Sequence, residues 1–135
     1  MNRKKILIID DDREVSLALS VRLKAADYDV DVAGDGESGL QKLTAGADHW
    51  AHRPDVVLLD MRMPGIDGLE VIRQMKRDPR LADIPVIFVS AGTQETVKRA
   101  ALNAGGNLFL EKPFESRALL EAIRRVLELN SGVTT

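Results

Sequence analysis

The sequence predicts an α/β domain built on a doubly wound, five-stranded parallel sheet of order 2-1-3-4-5 with five helices. Three observations predict it. Aliphatic runs at residues 6–9 (ILII), 56–59 (VVLL) and 85–89 (PVIFV) lack polar alternation, as strands do when helices cover both faces. Segments of helical periodicity separate the runs in strict alternation, and right-handed crossovers then favour this strand order. Finally, the runs end in Asp10, Asp60 and Ser90, at the carboxyl edge where open α/β sheets bind ligands.

Taken in order, Lys4 and Lys5 lead into the run 6–9, which stops at Asp10, Asp11 and Asp12. Val15, Ala18, Leu19, Arg22 and Leu23 follow at helical spacing, with Asp12 as the cap. Residues 29–33 alternate as a strand, placing Val30 and Val32 on one face. Asp35-Gly36 turns into a helix over 37–43 that carries Leu40 and Leu43 inward. Residues 44–54 (TAGADHWAHRP) read as a helix end and an exposed loop. After the run 56–59, a loop with Pro64 and Gly65 leads to a helix from Gly68 to Arg77 with Leu69, Ile72 and Met75 inward, stopped by Pro79. The strand 85–89 precedes an Ala-rich helix over 93–104, ended by Gly105-Gly106. A fifth strand over 107–110 reaches Glu111, Lys112 and Pro113. The last helix, 116–129, places Leu119, Leu120, Ile123, Val126 and Leu127 on one face.

Composition narrows the function classes. A chain of 135 residues with 44% hydrophobic and 30% charged side chains can bury one core and reads as a soluble globular domain. A net charge of −2 recommends neither nucleic acid nor an acidic membrane surface as a direct partner. The chain has no cysteine, so disulfides and thiolate metal sites are excluded, which fits a cytoplasmic location. The opening apolar run is too short for a secretory signal, and no segment has the length of a membrane span.

A parallel sheet collects its strand ends on one rim, bringing Asp10, Asp11, Asp60, Ser90 and Lys112 together from four strands. Three crowded carboxylates repel one another, which raises their proton affinity unless a cation is present. Oxygen donors without His or Cys suit a hard ion, Mg²⁺ above others.

Jointly, these residues resemble the receiver domain of two-component response regulators, close in size to the single-domain chemotaxis type. The resemblance rests on the acidic pair Asp10-Asp11, the D-x-x-M-P-G-x-D-G loop from Asp60 to Gly68, Ser90-Ala91, and K-P-F from Lys112 to Phe114. It spans residues 4–129, expected as one receiver domain, with 130–135 as a flexible tail. It implies a flavodoxin-like fold and a phosphoacceptor role for Asp60. The phosphoryl group would come from a phosphohistidine on a sensor histidine kinase or phosphotransfer protein, or from a small phosphodonor. The domain would catalyse its own phosphotransfer and dephosphorylation rather than turn over a separate substrate. The resemblance assigns Mg²⁺ to Asp11, Asp60 and the backbone carbonyl of Arg62, with Asp10 acting through water. Lys112 and Ser90 would each neutralise a phosphoryl oxygen. Ser90 would then be drawn inward and Phe109, at the switch-aromatic position, would turn from exposed to buried. The surface over residues 93–129 would signal to a downstream protein or effector domain, or form a homodimer.

Several positions depart from the family's usual pattern. Ser90 stands where threonine is commoner, Phe109 lacks the hydroxyl of tyrosine, and segment 44–54 is longer than typical. Arg62 stands two residues after the acceptor, where its cation is expected to screen the site from attacking water and lengthen the phosphoaspartate's life. The sequence predicts Asp12 as a cap, Arg73, Lys76, Arg77 and Arg80 as a solvated face, and Met61 and Met63 as loop packing. Arg117, Arg124 and Arg125 are expected as a second solvated face, His49 and His52 as loop residues rather than zinc ligands, and Trp50 against the flank. Three rivals remain. A haloacid-dehalogenase-like phosphatase would use Asp10-x-Asp12 but needs a later acidic pair, for which Glu111 is the available candidate. A flavodoxin-type carrier would have to seat a phosphate among aspartates. A phosphorylation-independent, receiver-like binding module would leave the acceptor chemistry unused. With no effector region in the sequence, signalling by protein contact is expected over DNA binding.

Overall fold

The structure is a computed structural model and describes residues 3–47 and 53–130. His49, Trp50, His52 and the tail beyond 130 lie outside the described residues. The chain alternates β1 (Lys5–Ile9), α1 (Arg13–Ala25), β2 (Asp29–Ala33), α2 (Gly36–Gly46), β3 (Val56–Leu59), α3 (Gly68–Arg77), β4 (Val86–Ser90), α4 (Glu95–Asn103), β5 (Leu108–Glu111) and α5 (Ser116–Asn130). All strand pairs are parallel, in the order β2-β1-β3-β4-β5.

The unbroken aliphatic runs follow from having two cores. Leu7, Ile9, Val57, Leu59 and Phe88 point to one side, with Leu43, Val71, Ile72, Met75 and Ala101 from α2, α3 and α4. Ile6, Ile8, Val56, Leu58, Ile87 and Val89 point to the other, with Leu19, Leu23, Leu119, Ile123 and Val126 from α1 and α5. Successive strand residues thus bury in opposite directions. Met61 and Met63 join the first core as packing residues. Among the described residues, no helix is long and apolar enough to cross a membrane.

Some local expectations are corrected. On α1 the buried residues are Ser16, Leu19, Ser20 and Leu23, with Val15 packed against the same core, while Ala18 and Arg22 are exposed. Arg22 instead reaches Ser116, donating to its Oγ at 2.6 Å. Val32 is exposed and Ala33 buried: on the edge strand β2, Val30 packs on one core and Ala33 joins the other, while Val32 reaches solvent. Helix α2 begins at Gly36 and continues through Gly46, since Asp35 caps it by accepting from the Ser38 N–H. β4 and β5 each lie one residue later than periodicity places them; proline offers no ladder donor, and Ser90 pairs with Glu111. Helix α4 starts only at Glu95 and ends at Asn103, and Gln94 at its start gives no side-chain cap. The last helix, α5, extends through Asn130.

Lys76 does not belong to the solvated face. It is half-buried, its ammonium donates to the Ala82 carbonyl at 2.6 Å, and burial holds its pKa below the ordinary value against the opposing pull of Asp83. Arg80 lies beyond α3 and forks onto Asp78. Arg73, Arg77, Arg117, Arg124 and Arg125 are exposed as expected.

Candidate functional site at the carboxyl rim

Strand register assembles the site. Ile9 pairs with Leu59, so the next residues, Asp10 and Asp60, leave adjacent strands side by side, and the Asp60 N–H donates to the Ile9 carbonyl at 2.9 Å. Ser90 pairs with Glu111, and the following residue, Lys112, donates its N–H to the Ser90 carbonyl at 2.9 Å. One oxygen from each of Asp10, Asp11 and Asp60 lies within 4.8 Å of the others. Four strands therefore deliver the expected acids, alcohol and ammonium to one rim.

Their environments differ. Asp10, Asp60 and Ser90 are buried, whereas Asp11 is exposed at the mouth. Lys112 Nζ donates to Asp10 Oδ2 at 3.0 Å, and the Asp12 N–H donates to Asp10 Oδ1 at 2.9 Å. The Lys112–Pro113 peptide is cis. Burial, more than repulsion, raises the Asp60 carboxyl pKa above its ordinary value; Asp10 adds to this, and Lys112 and the Arg62 backbone N–H oppose it. Asp12 turns away, accepting from the Glu14 and Val15 N–H groups as the α1 cap.

The loop after Asp60 is held from behind. The Gly68 N–H donates to the Met61 carbonyl at 3.0 Å, and a β-carbon at Gly68 would meet the Asp60 carbonyl oxygen at 2.5 Å. Only a glycine permits that approach, while Asp67 caps α3 through the Glu70 N–H. The glycine stands in the sequence motif, but its reason appears only in three dimensions. Two further side-chain contacts had no sequence signal. Arg62 Nη2 donates to the Gly92 carbonyl at 2.7 Å, and Lys98 stands 5.5 Å from the ring centroid of Phe109 while pairing with Glu111. Phe109 is half-buried rather than exposed, and stacks on Phe88 with centroids 6.0 Å apart.

Two buried carboxylates, one of them beside an ammonium, with a third acid open to solvent, are a donor set for a hard divalent cation and an anionic oxygen group together. An α/β fold with this rim defines a class of signalling domain rather than a redox carrier. The chain matches the response regulator receiver domain over residues 6–124 and belongs to that family. It is 38% identical over 123 residues to the DNA-binding dual master transcriptional regulator RpaA of Synechocystis, covering 91% of this chain and 48% of that protein. It is 40% identical over 125 residues to the C4-dicarboxylate transport transcriptional regulatory protein DctD of Pseudomonas aeruginosa, covering 93% of this chain and 25% of that one. The chain thus spans half or less of the length of these curated relatives. Among solved structures, Vibrio cholerae chemotaxis protein CheY4 superposes with a TM-score of 0.83 at 27% identity, covering 93% of this chain and 99% of that one.

Two of the rivals lose their footing here. Asp12 is spent as a cap, and exposed Glu111 pairs with Lys98, so the later acid that a dehalogenase-like phosphatase needs is engaged elsewhere. Three carboxylates occupy the rim where a flavin phosphate would have to sit. The protein is a response regulator receiver domain with a signalling role in the two-component manner.

Proposed function

We propose that Asp60 is the phosphoacceptor, that Asp10, Asp11, Asp60 and the Arg62 backbone carbonyl hold Mg²⁺, and that Lys112 and Ser90 complete the site. The observation that carries this reading is the convergence of Asp10, Asp11 and Asp60 within 4.8 Å, with Lys112 already bonded to Asp10. In transfer, a carboxylate oxygen of Asp60 attacks phosphorus, the P–N bond of a phosphohistidine breaks and the imidazole departs. Such a reaction leaves little for covalent catalysis, so positioning and charge neutralisation supply the rate. Asp60 is the nucleophile, buried and aligned by its strand. Lys112 would shift from Asp10 onto a phosphoryl oxygen, and the Ser90 hydroxyl would donate to another. The metal, when bound, neutralises phosphoryl charge as a Lewis acid.

The domain boundary at 4–129, a kinase or phosphotransfer partner, a downstream protein or effector, a homodimer and a cytoplasmic location belong to the same reading. They are supported by the family and by regulators of roughly twice this length or more. Incubation with acetyl phosphate and Mg²⁺, read by intact mass, tests it. Wild type should gain one phosphoryl group and Asp60→Asn none; equal labelling of the two would sink the assignment. In the same assay Arg62→Asn should shorten the life of the phosphoprotein.

A further inference from the structure

The loop that follows Ser90 is poorly tied down by its own residues. Ala91 and Gly92 are exposed, Gln94 provides no side-chain cap for α4, and the Thr93 hydroxyl is buried without a hydrogen-bond partner. Gly92 adopts φ +64, a left-handed conformation that glycine accepts and other residues resist. Among the described residues, the hydrogen bond that fastens positions 91–93 comes from across the site mouth, where Arg62 Nη2 reaches the Gly92 carbonyl at 2.7 Å. A cationic donor on a carbonyl is stronger than a neutral pair.

We infer that Arg62 is a positioning residue for Ser90: its guanidinium clasps the Gly92 carbonyl and so sets the loop into which Ser90, the last residue of β4, leads. This rests on the acceptor reading of Asp60 and deepens it. It assigns the side chain of Arg62 a task separate from that of its backbone carbonyl. The two loops that flank the acceptor would move as a unit, because one side chain joins a residue two positions after Asp60 to one two positions after Ser90.

Two measurements test the inference. First, backbone ¹⁵N relaxation of Ala91, Gly92 and Thr93 in the phosphate-free protein should show order parameters falling from about 0.85 toward about 0.6 in Arg62→Ala, with partial recovery in Arg62→Lys. Unchanged order parameters overturn the clasp. Second, phosphorylation by acetyl phosphate should be slowed by Arg62→Ala in the wild-type background and unaffected by it in a Ser90→Ala background, since the effect is carried by Ser90. An equal slowing in both backgrounds would show Arg62 acting directly on the phosphodonor and would overturn the positioning role. Failure of wild type to be phosphorylated at all would remove the acceptor reading and with it the role of Ser90, while the relaxation measurement would still decide whether the clasp exists.

Discussion

Lys112 Nζ stands 3.0 Å from Asp10 Oδ2, joining the end of the fifth strand to the end of the first. The carboxylate is almost wholly buried, while the lysine side chain keeps about a fifth of its surface in solvent. A cation at the rim would compete with Lys112 for the acids and free the ammonium for an incoming phosphoryl oxygen. The pair is thus a resting arrangement of the same groups that the transfer needs.

Replacing Lys112 by methionine removes that counter-charge and leaves Asp10 buried with the Asp12 N–H as its remaining donor. A broken buried pair costs several kcal/mol, less where one end meets water, so a loss of about 1–3 kcal/mol is expected without metal. Thermal melts in chelator should show this, and millimolar Mg²⁺ should recover part of it by neutralising Asp10. Phosphorylation of Lys112→Met should fall sharply with Mg²⁺ present.

The Asp60 carboxyl gives a pH dependence whose sign is fixed. Its folded pKa is raised above the ordinary 3.8, chiefly by burial and next by Asp10. Its stability contribution is therefore fully present below 3.8 and lost as pH rises through the raised folded value. At neutral pH without metal the charged side chain is a liability, so Asp60→Asn should melt higher than wild type, and the gap should close as pH falls below the ordinary carboxyl range. Metal reverses the order: Mg²⁺ at a hundredfold over its dissociation constant stabilises wild type by about 2.7 kcal/mol, and Asp60→Asn should gain much less. Melting curves across pH, with chelator and with Mg²⁺, check both halves.

Much of this site was legible because parallel strands turn sequence positions into rim positions. Asp10, Asp60 and Ser90 each follow an aliphatic run, Lys112 stands one residue beyond such a run, and the register does the rest. Asp12 was separable from its neighbours because a helix begins beside it. What stayed hidden depends on long side chains. Nothing local tells Arg62 to reach Gly92, Lys76 to bond the Ala82 carbonyl, or Lys98 to cover Phe109. Each spans a gap between loops or elements whose distance only the folded chain sets. The exposed Val32 escaped for a related reason, because alternation identifies a face but not whether a helix covers it.

Gly68 offers a test of backbone placement separate from charge. A β-carbon there would press on the Asp60 carbonyl oxygen at 2.5 Å and on Met61 Cα at 3.0 Å, both backbone atoms that cannot step aside alone. Gly68→Ala should destabilise by about 1–3 kcal/mol, the usual cost of overpacking. It should also slow phosphorylation and weaken Mg²⁺ binding together, because the displaced atoms belong to a residue assigned both to the acceptor role and to the metal. A variant with wild-type melting and wild-type phosphorylation would show that the approach carries no weight.

Phe109 stacks on Phe88 beneath Lys98, whose ammonium pairs with Glu111 on the same strand as the ring. The cation therefore sits over a ring that the family reading requires to move, while Glu111 holds that cation in place. Phenylalanine has no hydroxyl to bond in either position, so the ring face is its main polarisable handle, and a partly exposed cation–π contact contributes about 0.5–1 kcal/mol. Lys98→Met should weaken the hold by a factor of about two to five in the ring's populations. Aromatic ¹³C relaxation of Phe109 in the phosphate-free protein reads this directly, and Glu111→Gln should shift it in the same direction by loosening Lys98. If Lys98→Met leaves the ring populations unchanged while Glu111→Gln alters them, the strand carboxylate rather than the cation governs the aromatic, and Lys98 is a bystander.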